Sequence, residues 1–163
     1  MANITAPLLL TSGTAAFRTT GAIWVGALLR RISAYEINVG QGASAYNSVD
    51  SSAVWDVSRF GATNGIAGTA VIPNLLDPAD GSPASQFMNT TTADPTYTTA
   101  GNGLNLYTWP VNQRGFNRWR ALDDGDNIIV PATAGFGIGV RALMSGGALT
   151  TLSCQGTLAA VER

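Results

Sequence analysis

From Phe136 to Leu158, apolar and small or polar residues change places at almost every step. Phe136, Ile138, Val140 and Ala142 alternate with Gly137, Gly139 and Arg141; Leu152, Cys154, Gly156 and Leu158 alternate with Thr151, Ser153, Gln155 and Thr157. A helix returns to the same face every 3.6 residues, whereas a strand does so every second residue, so this spacing fits a half-buried strand and no helix. Between the two runs, Ser145-Gly146-Gly147 offers the positive φ values of a tight turn. The pattern predicts a terminal antiparallel hairpin, central in an all-β domain.

The remainder of the chain keeps to the same grammar. Thr14 to Arg18 and Ala22 to Arg30 are expected as strands about a Thr19-Thr20-Gly21 turn. Ile32 to Val39 follows, then a Gly/Ser/Asn-rich loop from Gly40 to Ser52. In the strand Val54 to Phe60, Trp55 and Val57 are read as inward and Asp56 and Ser58 as outward. Thr69 to Ile72 forms a short strand, and Pro73 to Pro83 a surface loop with at most one helical turn at Ser82-Pro83. Met88 to Gly103 is extended, and Leu104 to Trp109 and Phe116 to Leu122 complete the set. Residues 1–12 are an edge strand or an extended arm, the strand being favoured. About eight short strands punctuated by Gly and Pro suit one jelly-roll β-sandwich across 1–163.

Composition removes several functions. The 163 residues contain no His and no Lys, so the commonest general base and metal ligand is missing. Nine basic and ten acidic residues nearly cancel, which leaves no field to gather nucleic acid or anionic lipid. Only 12% of the chain is charged, about half the usual share, and such a surface is poorly protected against association. The apolar run at Gly21–Leu29 stops at Arg30-Arg31, well short of a membrane span. With no leader pattern before Leu8-Leu9-Leu10, the chain is expected to be made and used without export.

No motif amounts to a catalytic constellation. Cys154 has no His to activate it and is read as a small buried hydrophobe. Asp123, Asp124 and Asp126 could supply oxygen ligands to Ca²⁺, but their order departs from the EF-hand loop, and Asp-Gly is a turn dipeptide. The turn reading is preferred, with no metal and no cofactor expected. Gly135, Gly137 and Gly139 lie within strand alternation, so they make room for a large neighbour rather than cradle phosphate. The scattered carboxylates show no glycosidase spacing. Trp109, Arg114, Phe116, Arg118, Trp119 and Arg120 are the residue types that anchor protein interfaces. The same cluster also fits core tryptophans with arginines at the rim. Trp24 and Leu28, on the second face of an apolar strand, and Leu8, Leu9 and Leu10 in a neutral arm, join the candidate contact surface.

Three stretches carry a resemblance. They are Val54-Trp55-Asp56-Val57-Ser58-Arg59-Phe60; Gly68-Thr69-Ala70-Val71-Ile72-Pro73 leading to Leu76-Asp77-Pro78-Ala79-Asp80; and Asp126-Asn127-Ile128-Ile129-Val130-Pro131 through Gly137-Ile138-Gly139-Val140-Arg141. In these the chain resembles the decoration, or cement, proteins of tailed bacteriophages. The resemblance implies a jelly-roll sandwich, produced in the host cytoplasm, that forms a homotrimer on the outer capsid surface of the virion. There it would bridge the major capsid protein lattice, with no nucleic acid and no membrane as partners and no enzymatic activity. A carbohydrate- or receptor-binding module of a fibre or tail is the alternative, with exposed aromatic rings as sugar platforms.

Overall fold

The computed structural model describes residues 1–10, 16–41, 52–61, 66–97, 105–112, 114–145 and 153–163. These residues hold twelve strands and no helix, stacked as two antiparallel six-stranded sheets. The chain is therefore an all-β sandwich. In order the strands are β1 (Ala2–Leu10), β2 (Arg18–Trp24), β3 (Ile32–Gln41), β4 (Ser52–Phe60), β5 (Ala67–Val71), β6 (Asn74–Leu75), β7 (Gln86–Ala93), β8 (Asn105–Asn112), β9 (Phe116–Arg120), β10 (Ile128–Val130), β11 (Gly137–Ser145) and β12 (Cys154–Glu162).

The first sheet runs β10-β3-β12-β1-β6. β9 lies on the same edge of β3 as β10: Gly40 to Glu36 face Phe116 to Arg120, and Ala34 to Ile32 face Ile128 to Val130. The acidic loop is thus an excursion between two pieces of one edge, not the tip of a hairpin. The second sheet runs β5-β7-β2-β11-β4-β8. Four antiparallel pairs are nested in the chain: β1 with β12, β2 with β11, β3 with β9 and β10, and β4 with β8. β5, β6 and β7 lie in sequence between β4 and β8 and extend the sheets beyond β1 and β2.

The terminal alternation is real, but the hairpin is not. β11 pairs with β2 and β4 in one sheet, while β12 pairs with β1 and β3 in the other. Alternation says that a strand has one buried face and nothing about which sheet receives it. Most of the expected Ser145-Gly146-Gly147 turn lies outside the described residues.

The expected Thr19–Gly21 turn is also overturned, because β2 runs straight through it. Thr19 and Thr20 are fully buried, and Thr20 Oγ1 donates to the Val140 carbonyl at 2.8 Å. Gly21 is needed inside the strand, where a Cβ would stand 2.6 Å from Leu8 and 2.7 Å from Phe87. The apolar run that follows ends as a strand at Trp24, and Leu29 N closes a turn on Gly26 O. β1 is paired along its whole length with β12, so residues 2–10 are sheet rather than arm. The 73–85 loop contains β6 and no helical turn at Ser82-Pro83.

Ile4, Leu8, Ile23, Ile37, Trp55, Val57, Ile138 and Leu158 form the centre of the sandwich, contributed by both sheets. A second, smaller cluster of Ala22, Trp24 and Phe60 lies on the outside of the second sheet, with Tyr97 packed against it. That layer explains the alternating glycines of β11. A Cβ at Gly137 would collide with Phe60 and Trp24, and one at Gly139 with the Tyr97 hydroxyl.

Candidate functional site

β8 and β9 are consecutive edge strands of opposite sheets, joined at a corner where Gly115 N donates to Asn112 O at 2.9 Å. Pro110 sits within β8 without breaking it, since an edge strand can spare one ladder donor. Alternation along β9 separates its side chains. Phe116, Arg118 and Arg120 are exposed, while Asn117 and Trp119 are half-buried. Trp119 and Trp109 pack against the main core, and the Trp119 ring meets Tyr107 of β8 at a centroid distance of 5.0 Å. The aromatic-and-arginine cluster is therefore two layers thick. Its tryptophans belong to the edge of the core, and Phe116 with its arginines forms the surface.

Across the outer face of the first sheet, Arg120 lies opposite Glu36, Arg118 opposite Asn38 and Phe116 opposite Gly40. Arg118 donates to Glu36 at 2.7 Å, Asn38 Nδ2 donates to the other carboxylate oxygen at 2.8 Å, and Arg120 lies 3.9 Å away. The Arg118 hydrogen bond, helped by Asn38 and by the positive charge of both arginines, holds the Glu36 carboxyl below its usual range. Beside this pair, a depression of about 340 Å³ is lined by Asn38, Gly40, Phe116, Gln155 and Thr157. Phe116 is 81% exposed at its rim.

The leucines and Trp24, also expected as contact residues, do not join this surface, whereas Arg114 does. Leu8 and Leu10 are core, and Leu9 is half-buried on the opposite face of β1. Trp24 is buried, with its Nε1 donating to Gln86 Oε1 at 2.7 Å, because the run it belongs to is covered by the chain itself. Leu28 is 68% exposed, but in the turn between β2 and β3, at the end of β3 away from Phe116. Arg114 is exposed at the β8–β9 corner, where its N–H donates to Asn112 Oδ1 at 3.0 Å.

The acidic loop is built as a turn. Asp123 Oδ1 accepts from Gly125 N at 2.7 Å, and Asp124 lies 3.4 Å from Arg163. Among the described residues, no three acidic, Cys or His side chains gather as a metal site. Cys154 is fully buried, and burial pushes its thiol up to about 12, which suppresses the reactive thiolate.

Two polar sites escaped the sequence reading. Asp56 faces the outer side of its sheet, as expected, but is fully buried there. Arg141 clamps it with Nε–Oδ1 and Nη2–Oδ2 distances of 2.7 and 2.6 Å. The guanidinium lies over the rings of both Phe17 and Tyr97, 4.9 and 4.4 Å from their centroids, and Nη2 also reaches Ser58 and Asn105. Burial raises the Tyr97 hydroxyl well above its ordinary value, and it shares a hydrogen bond with Thr19. Glu162, fully buried at the end of β12, accepts the N–H groups of Ala84 and Ser85 at 2.9 and 2.7 Å. The first site ties β11 to β4 and β8, and the second pins the loop before β7 onto β12. Their partners are dozens of positions apart, so no local spacing announces them. The sequence matches no protein-family model and no curated protein.

Proposed function

We propose that the protein is a structural component of a phage virion, a cement protein that self-associates as a trimer and binds the capsid lattice. The observation that carries the reading is Phe116: a large ring, 81% exposed, at a corner with exposed Arg114, Arg118 and Arg120. Aromatic and arginine side chains are the usual anchors of protein interfaces, and a lone phenylalanine held in water on an ordered strand has no role in this chain's own core. The nested strand pairs support the jelly-roll form of the sandwich once β9 and β10 are taken as one interrupted strand and β5–β7 as an insertion.

Light scattering gives the oligomeric mass, and cosedimentation with phage shells stripped of their outer proteins gives the lattice affinity. Phe116→Ser is expected to weaken shell binding about thirtyfold, equivalent to about 2 kcal/mol at an anchor residue, with no change in melting temperature. Shell binding by Phe116→Ser and Arg118→Ala at wild-type affinity would refute the assignment.

A carbohydrate-binding reading has one observation of its own. The depression beneath Phe116 carries the amides of Asn38 and Gln155 and the Thr157 hydroxyl, suited to sugar hydroxyls beside a stacking ring. Saturable glycan-array binding that is lost in Phe116→Ser, alongside unaltered shell binding, selects this reading instead.

A further inference from the structure

A sheet edge displays unpaired backbone N–H and C=O groups, and proteins guard such edges with prolines, charges or short strands. Three of the four sheet edges among the described residues are guarded. β8 carries Pro110, β9 carries Arg118 and Arg120, and β6 is only two residues long. β5 is the exception. It reads Ala-Gly-Thr-Ala-Val, with Ala67 to Ala70 all exposed. Among the described residues it pairs with β7 alone, and its other edge makes no hydrogen bond. The sequence from Phe60 to Leu76 contains no charged residue at all. Alongside β5 opens an apolar groove of about 890 Å³, lined by Trp24, Val71, Ile72, Leu75, Pro83 and Phe87 among others, and equally free of charge. Ile72, at the end of β5, is 81% exposed.

We propose that β5 is a self-association edge, which pairs antiparallel with β5 of a second copy about a two-fold axis. The chemistry selects the occupant. A free backbone edge is satisfied by another strand, and a neutral one with small side chains opposes itself without like-charge repulsion. A two-fold contact uses the same patch twice, so one unguarded edge is sufficient to close it. With the pairing centred on Thr69, Ile72 of one copy lies opposite Ile66 of the other, apolar against apolar. The joined strands continue the second sheet from one copy into the next. This edge is the far side of the sheet from β8, so the contact is separate from the Phe116 corner.

Amide hydrogen exchange at residues 67–71, followed with sedimentation velocity over rising protein concentration, tests the proposal on the intact chain. Protection of these amides is expected to increase with concentration, in step with a dimer. Thr69→Lys, at an exposed position, is expected to weaken that dimer at least about tenfold and to remove the concentration-dependent protection. Ile72→Ser, which changes no backbone group, is expected to weaken it less. Exchange at 67–71 that is independent of concentration overturns the proposal, whatever oligomer forms elsewhere. So does a Thr69→Lys protein that folds as wild type and still gains protection there.

Discussion

Asp56 and Arg141 show how much of the chemistry of a β-sandwich can lie on the outside of a sheet. Both side chains project away from the main core, yet both are largely withdrawn from water, and the Tyr97 and Phe17 rings lie against Arg141. Desolvating two charges is costly, and the bidentate geometry and the Ser58 and Asn105 hydrogen bonds offset that cost. The pair should therefore behave asymmetrically. Asp56→Ala is expected to cost about 3 kcal/mol in urea denaturation, because it strands a cation under two rings. Replacing both residues with apolar side chains of similar volume is expected to recover most of that loss. In the sequence, Asp56 was only the polar step between Trp55 and Val57, and its partner stands 85 positions away. The glycine opposite Tyr97 was more readable. A residue without a side chain in a run that otherwise alternates signals a neighbour coming close.

At the scale of elements, the pairing of β3 with β9 builds one pH-sensitive contact. Arg118 and Asn38 stabilise the ionised form of Glu36, so its folded-state pKa lies below the ordinary 4.5. A depressed carboxyl contributes stability that is fully present above the unfolded value and is lost as pH falls through the folded one. The melting temperature should therefore fall on acidification below about pH 4.5, and Glu36→Gln should flatten that part of the profile. An unchanged acid limb in the variant would assign the effect to other carboxylates. Elements were also where the sequence was most and least informative. The inward residues of β4, β11 and β12 follow from alternation alone, because large apolar side chains recur at every second position. Partner choice does not follow. The two strongest terminal patterns look like a hairpin, yet they lie in separate sheets, since either sheet could bury an alternating strand. Thr19-Thr20-Gly21 had the composition of a turn, but buried threonine hydroxyls and the approach of Leu8 and Phe87 keep it extended.

On the scale of the whole molecule, the four nested pairs tie the chain together from outside in. Ala2 faces Glu162, and Leu10 faces Cys154. Folds assembled from such distant pairings form slowly, because long loops must close before the contacts reward them. The pairing also sets an order in time. On a ribosome, β1 with Ile4 and Leu8 is made before the other described strands, but its neighbour β12 is made after all of them. Until residues 154–162 have left the exit tunnel, β1 has only the two-residue β6 beside it, and the middle of the first sheet has a gap between β1 and β3. A chain stopped before Cys154 is expected to show no cooperative unfolding transition by circular dichroism, whereas the full chain shows one. The first sheet therefore waits for β12, and that wait is when the chain depends most on the cell to keep β1 from finding the wrong partner.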